Sequence, residues 1–282
     1  MRTDTLLAQA AERLAAVGVD TPRLDAEILL ARAAGVSRSS LFTWPERGFP
    51  EAVLDVFRSW VERRVTYEPV AYILGDQEFY GRLFEVSPAV LIPRPETEHL
   101  IETVLELEPR PQRLVDVGTG SGCIALTLAL EISALDVVAL DISEQALDQA
   151  RRNARKLGLD SSVRFAQSDL LSALVGEAPF DVVVSNPPYV EMTHLPEMQP
   201  DVARFEPHVA LFAGDSGLDV IRRLCDEAHA LLKPGGHLVM EFGAGQHEAI
   251  GTLLLERSYT NVTWVRDLAG YVRVVSACKA LP

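Results

Sequence analysis

A doubly wound α/β domain, its seven-stranded and mostly parallel sheet preceded by a small helical bundle, is the architecture this sequence predicts. Three observations predict it. From about residue 113, apolar runs of strand length alternate with amphipathic helical stretches. A glycine-rich turn joins the first of these strands to its helix, in Leu114-Val115-Asp116-Val117-Gly118-Thr119-Gly120-Ser121-Gly122. The run Asp181 to Tyr189, DVVVSNPPY, reads as a buried strand that stops at Asn186. It stops there because Pro187 and Pro188 donate nothing to a ladder and Pro187 keeps Asn186 out of the helical region.

In chain order, residues 3–17 form an amphipathic helix, capped by Thr3 or Thr5 and stopped by Gly18. Thr21-Pro22 opens a second helix that Gly35 ends, and shorter helices fit Arg38 to Phe42 and Pro50 to Val65. This N-terminal helical bundle occupies residues 1–72 and holds no glycine loop and no acid/base cluster. Residues 73–92 read as a β-hairpin or connector around Phe79-Tyr80-Gly81. The stretch Leu91-Ile92-Pro93-Arg94-Pro95-Glu96-Thr97-Glu98 leads into the remaining 93–282 as a stiff helix entry whose carboxylates suit the helix dipole and whose Arg94 has no capping purpose. Strands are predicted at Arg113 to Val117, Asp136 to Leu140, Val163 to Ala166, Phe180 to Ser185, His237 to Phe242, Val262 to Val265 and Tyr271 to Ala277. Helices separate the first five, and the last two form an antiparallel hairpin at one edge.

The 282 residues are 48% hydrophobic and 23% charged, the profile of a globular protein with a large core. No apolar run is long enough to span a bilayer, and the N-terminus lacks the order of a signal peptide, so the expected compartment is the cytoplasm. Cys123, Cys225 and Cys278 are widely spaced, which argues against a zinc site or a disulfide framework, and no metal is expected. A net charge of −14 argues against broad contact with a phosphate backbone.

Chemistry gathers at the strand ends. Gly118, Gly120 and Gly122, with Thr119 and Ser121, let backbone approach a ligand. Asp116 before them would repel phosphate yet suits a cationic, amino-acid-bearing ligand. Asp141, followed by Ile142, lies about 20 residues on, where an acid takes both hydroxyls of a ribose. Asp169, followed by Leu170, ends the third strand, within reach of an adenine amino group. One such aspartate is an ordinary helix cap; three at successive strand ends beside a glycine loop read as a nucleoside site.

Together these segments resemble the Rossmann-like class I S-adenosylmethionine-dependent methyltransferases, and Asn186-Pro187-Pro188-Tyr189 resembles the motif of those that methylate a nitrogen conjugated to a π system. Further stretches are similar to the bacterial release factor glutamine methyltransferase family (the HemK/PrmC type) from end to end. They are Leu24 to Ala31, Glu68 to Gly75, Phe79 to Gly81, Leu91 to Glu98, Asp116 to Ala125, Ser185 to Tyr189, Glu206-Pro207 with Ala210-Leu211, and Leu232 to Leu238. Two positions depart from the commoner pattern: Tyr67 stands where the family often has Gly, and Leu170 where many members have an aromatic.

The resemblance implies S-adenosyl-L-methionine as cofactor, held by Asp116, Gly118 to Gly122, Asp141, Ile142, Asp169, Leu170 and Asn186. It implies a class I peptide chain release factor as protein substrate, gripped by the bundle and methylated on the glutamine amide of its Gly-Gly-Gln loop. Asn186 and Pro187 would accept the two amide N–H groups and Tyr189 would stack on the amide plane, with Pro188 and Arg94 completing the substrate contacts. A monomer without direct nucleic-acid or membrane contact is expected. The alternative is a DNA adenine- or cytosine-amino methyltransferase, which would carry a basic face and usually a separate target-recognition domain. A non-catalytic module that kept the fold, and Cys123 as a nucleophile at a helix start, are weaker readings.

Overall fold

The computed structural model describes residues 2–281 and divides into two compact units. One runs through Asp76 and also takes in Gln199–Phe205; the other holds Gln77–Met198 and the chain from Glu206 onward.

The first unit is built on α1 (Thr3–Ala16), α2 (Pro22–Ala34), α3 (Arg38–Thr43), α4 (Glu51–Val65) and α5 (Val70–Leu74). Leu6, Leu7, Ala10 and Leu14 of α1 meet Leu29 and Leu30 of α2 and Leu54, Phe57 and Val61 of α4 in one core, as helical spacing requires. Neither threonine caps α1. The helix starts at Thr3 itself, whose hydroxyl instead donates to the Arg47 carbonyl at 2.8 Å. Pro22 opens α2, and Gly35 closes it with φ 64°.

Arg64 is buried in this unit and fully partnered. It donates to Asp25 at 2.7 Å, to Asp201 at 3.3 Å and to the carbonyls of Tyr67 and Glu68. A buried cation tolerates removal from water only when surrounded in this way. Tyr67 has φ 72°, a left-handed conformation that glycine adopts freely and tyrosine does not, which is a physical reason for the Gly that the family resemblance leads one to expect here. Here the tyrosine is held by a hydroxyl bond to the Val17 carbonyl and by the Arg204 guanidinium 5.2 Å from its ring.

The second unit begins at Gln77, inside the hairpin of β1 (Asp76–Phe79) and β2 (Arg82–Glu85), and continues with a 3-10 turn at Pro95–Thr97 and α6 (Glu98–Leu105). The alternating part follows as β3 (Arg113–Val117), α7 (Cys123–Glu131), β4 (Asp136–Asp141), α8 (Glu144–Lys156), β5 (Val163–Gln167) and β6 (Phe180–Ser185). After β6 the chain carries α9 (Pro200–Phe205), which belongs to the first unit, and then α10 (Asp219–Leu231), β7 (Leu232–Glu241), α11 (His247–Glu256), β8 (Tyr259–Arg266) and β9 (Val272–Lys279).

The sheet has the order β5-β4-β3-β6-β7-β9-β8, parallel through β7, with β9 antiparallel between β7 and β8. Alternate residues of each central strand face opposite cores: Leu114, Val137, Ala139 and Val182 one way, Val115, Val138, Leu140 and Val183 the other. Helix α11 is not among the helices predicted from sequence. Gly251 interrupts its pattern and a glycine-rich Gly243–Gln246 turn precedes it, yet Ile250, Leu253 and Leu254 are buried against the sheet. Gly251 is seated against Trp264, where an added Cβ would lie 3.4 Å from the indole.

Candidate active site

The carboxyl ends of β3, β4, β5 and β6 surround a cavity of about 290 Å³, at the switch point where strand order reverses. Its wall includes Gly118, Thr119, Gly120, Ser121, Asp141, Ile142, Asp169, Leu170, Asn186, Pro188 and Arg94. Asp116, Gly122, Pro187 and Tyr189 are not on that wall, and each has a visible reason.

Asp116 sits behind the glycine loop, fully buried. Its Oδ2 accepts from Thr119 Oγ1 at 2.7 Å and from the Ala125 amide at 3.2 Å, while Oδ1 has no partner among the described residues. The residue braces the loop. Burial pushes its carboxyl up to about 7, against the lowering effect of those two hydrogen bonds. A folded pKa above the unfolded value of 3.8 means the folded state takes up the extra proton. The associated stability is therefore present at low pH and declines as pH rises from about 4 to 7. Asp116→Asn keeps the oxygen acceptor and removes this titration. The melting temperature of the variant relative to wild type should rise by roughly 5 °C between pH 5 and pH 8. A difference independent of pH would contradict the assignment.

Gly122 caps α7 with φ 83°, and a Cβ there would lie 2.9 Å from Leu126 and 3.2 Å from Ala150, so its smallness serves helix packing. Gly118 and Gly120 differ. Both have positive φ, and a Cβ on either would meet no protein atom within 4 Å, so the space above the loop is left open for a ligand.

Asp141 ends β4 with its carboxylate split between two amides: Oδ2 accepts from Gly120 at 2.9 Å and Oδ1 from Ser143 at 2.9 Å. A carboxylate offers about four lone-pair directions, so each oxygen retains capacity for one hydroxyl. Burial raises its pKa, and the three backbone amides around it act the other way. Ile142 presents an apolar side chain, 51% exposed, to the cavity, a surface that a flat base would cover. Asp169 pairs with Arg223 at 2.9 Å, and both line the cavity. Leu170 takes φ 49° beside them.

The residues present thus fit a nucleoside bearing an amino acid: an open glycine loop, a bidentate acid at the second strand end, an apolar platform and a further acid at the third. Cys123 lines the same cavity, but burial pushes its thiol up to about 12, which removes it as a nucleophile at neutral pH.

At the end of β6, Asn186 lines the cavity and its Nδ2 donates to Thr97 Oγ1 at 3.1 Å. Pro187 is buried, and no N–H donates to its carbonyl among the described residues. Tyr189 is clamped from three sides. Its hydroxyl donates to Glu241 Oε1 at 3.2 Å, its carbonyl accepts from Gln246 Nε2 at 3.1 Å, and its ring edge lies against Gly243, where a Cβ would be 3.2 Å away. Arg94 pairs with Glu206, which also accepts from the Ile92 amide at 3.2 Å; this is the partner its sequence position did not reveal.

Several residues of the site carry no motif signature. Asn153 of α8 is fully buried, donates to the Ser121 carbonyl at 2.8 Å, and exchanges hydrogen bonds with the backbone of Glu85, tying glycine loop to hairpin. Glu241 is 2% exposed at the end of β7. Its signal was present in the sequence as one acid in the apolar run Leu238-Val239-Met240-Glu241-Phe242.

Residues 5–75 match the family model described as the PrmC N-terminal domain, and residues 95–201 match the methyltransferase small domain. The chain is 48% identical to the release factor glutamine methyltransferase of Koribacter versatilis over 94% of each chain. It is 44% identical to that of Nitratidesulfovibrio vulgaris, covering 98% of this chain and 95% of the relative. Among solved structures, a methyltransferase from Pyrococcus furiosus superposes with a TM-score of 0.54 at 22% identity, covering 72% of this chain and 91% of that one. The hMettl16 catalytic domain superposes with a TM-score of 0.61 at 16% identity, covering 77% and 86%; both establish the fold. With relatives this similar over nearly the full length, and with a cavity that fits a nucleoside at the strand ends beside the Asn-Pro-Pro-Tyr turn, the chain belongs to the S-adenosylmethionine-dependent release factor glutamine methyltransferase family.

Proposed function

We propose that this protein transfers a methyl group from S-adenosyl-L-methionine to the side-chain amide nitrogen of the glutamine in the Gly-Gly-Gln motif of class I peptide chain release factors. The observation that carries the reading is the pair of acceptors at the end of β6. Asn186 Oδ1 and the Pro187 carbonyl have no protein donor among the described residues, and an unsubstituted amide has two N–H groups to offer. The bound cofactor supplies an electrophilic methyl group on a positively charged sulfur.

Asp141, Ile142, Asp169, Leu170 and the Gly118–Ser121 loop hold the cofactor, and Asp116 and Gly122 support that loop from behind. Asn186 and Pro187 aim the glutamine nitrogen, whose lone pair is otherwise shared with its carbonyl. Tyr189, its hydroxyl engaged by Glu241, offers its ring to the amide plane. Pro188 and Arg94 contact the rest of the substrate loop. The work is positioning in an in-line displacement, and the proton displaced from nitrogen passes to water.

The helical unit grips the release factor away from the reacting loop. Phe42 and Trp44 support this role, since both are more than half exposed on that unit. Deleting residues 1–70 is a poor test, because Gln199–Phe205 belongs to the same unit and would lose its partners. Trp44→Ala is the better one. It should raise KM for release factor several-fold and leave cofactor affinity unchanged; an unchanged KM would count against the role.

The protein acts in the cytoplasm as a monomer, without direct contact with nucleic acid or membrane. The net charge of −14 supports the lack of nucleic-acid contact, and no helix among the described residues is long and apolar enough to cross a membrane. The same charge weighs against a DNA substrate. Incubation with a full-length release factor and S-adenosyl-L-methionine should add one methyl group to the Gly-Gly-Gln peptide, read by mass spectrometry. Methylation of DNA but not of release factor would reverse the choice.

A further inference from the structure

A buried chain of hydrogen bonds leads away from Asn186. Its Nδ2 donates to Thr97 Oγ1 at 3.1 Å, and Thr97 Oγ1 donates to Glu241 Oε2 at 2.7 Å. The other carboxylate oxygen of Glu241 accepts from the Tyr189 hydroxyl at 3.2 Å. Thr97 and Glu241 are each 2% exposed, so water does not compete for these bonds. The two residues come from separate places in the chain, the 3-10 turn before α6 and the end of β7.

The direction of the chain follows from hydrogen counting. Burial pushes the Glu241 carboxyl up, while the hydrogen bonds from Thr97 and Tyr189 and the Arg273 charge act the other way. With one hydroxyl donating to each of its oxygens, the carboxylate acts only as an acceptor, whereas a threonine hydroxyl has one hydrogen and two lone pairs. The single Thr97 hydrogen goes to Glu241, which leaves only a lone pair facing Asn186. The Asn186 amide must then turn its NH2 towards Thr97. The opposite flip would set Oδ1 against that lone pair, two acceptors without a proton between them. Asn186 Oδ1 is therefore the end of the amide left without a protein partner, on a residue that lines the cavity.

We propose that Thr97, oriented by Glu241, is a positioning residue that fixes the flip of the Asn186 amide so that its oxygen is presented as the acceptor for the substrate amide. Thr97 reaches the cavity wall and Glu241 does not, and both act through the Asn186 amide. Glu241 also fixes the Tyr189 hydroxyl, so one buried carboxylate orders both polar side chains of the Asn-Pro-Pro-Tyr turn. The inference rests on the proposed role of Asn186 in aiming an amide.

The test uses the full-length enzyme with purified release factor, comparing Thr97→Val, Thr97→Ser and Asn186→Ala. Valine matches threonine in shape but can neither donate nor accept. One net hydrogen bond corresponds to roughly tenfold in rate, and Thr97→Val should lower kcat by about that factor with cofactor Kd unchanged. Thr97→Ser keeps the hydroxyl and should stay within about threefold of wild type. Wild-type kcat in Thr97→Val, or an equal loss in Thr97→Ser, would overturn the relay, the second outcome indicating that the methyl group and not the hydroxyl matters.

Should Thr97→Val fail to bind cofactor at all, Glu241→Gln decides. Its neutral amide can present either oxygen or NH2 to Thr97, so direction is lost and kcat should fall several-fold; an unchanged kcat would overturn the proposal. Asn186→Ala separates the two levels. Loss of turnover there beside a neutral Thr97→Val defeats the relay and leaves the mechanism standing, whereas a neutral Asn186→Ala defeats the mechanism itself.

Discussion

Asn186→Ala should lower kcat by about two orders of magnitude while S-adenosyl-L-methionine binds within a few-fold of its wild-type affinity. The magnitude follows from the site's task. A primary amide is a weak nucleophile, and the protein contributes orientation together with acceptors for the N–H groups; removing one such preorganised contact typically costs a hundredfold or more. Cofactor affinity should be spared because the proposed nucleoside contacts are Asp141, Ile142 and Asp169, which line the cavity at the other strand ends. Single-turnover rates beside a calorimetric Kd would separate the two quantities. Unchanged turnover would sink the positioning mechanism, and parallel loss of cofactor binding would show Asn186 to be mainly a cofactor residue.

Asp141→Ala should do the reverse, weakening cofactor binding by roughly a hundredfold with a smaller effect on turnover at saturating cofactor. Hydrogen bonds to a charged group contribute about 1.5–3 kcal/mol each, and this carboxylate would lose its two ribose contacts together. It would also release the amides of Gly120 and Ser143, each bound at 2.9 Å, so part of the loss would come from a loosened glycine loop. Asp141→Asn keeps one oxygen acceptor and should fall between the two. A Kd for Asp141→Ala within a factor of three of wild type would contradict the assignment of this strand end to the ribose.

The fold was legible where local rules and burial agree. The strands from Arg113 to Ser185 are short apolar runs ended by glycine, aspartate or proline, and such runs have few alternatives once helices alternate with them. Helix α11 was not legible, because Gly251 and the glycines before it give no helical signal and tertiary packing decides the matter. The threonine caps of α1 failed for a related reason: Thr3 has a more distant partner in Arg47.

In the site, residues that touch the cavity through a local motif could be read off directly, as with Gly118 to Ser121, Asp141 and Asn186. Residues that act through long-range partners could not. Arg94 with Glu206 spans 112 positions, and Thr97 with Glu241 spans 144. Asp116 and Gly122 show the converse, since their place in a motif does not distinguish a wall residue from the brace behind it. At Tyr67 the expected departure from the family pattern acquires a physical meaning only with the backbone, whose positive φ would suit a glycine.

The most direct measurement is transfer of labelled methyl from S-adenosyl-L-methionine to purified class I release factor, wild type beside a variant with alanine for the glutamine of its Gly-Gly-Gln loop. Label on the wild-type factor and none on the variant is the expected result, and it would fix reaction, substrate and target atom together. Equal label on both factors would place the modified group elsewhere. No label on either, from enzyme that binds its cofactor normally, would contradict a release factor substrate altogether.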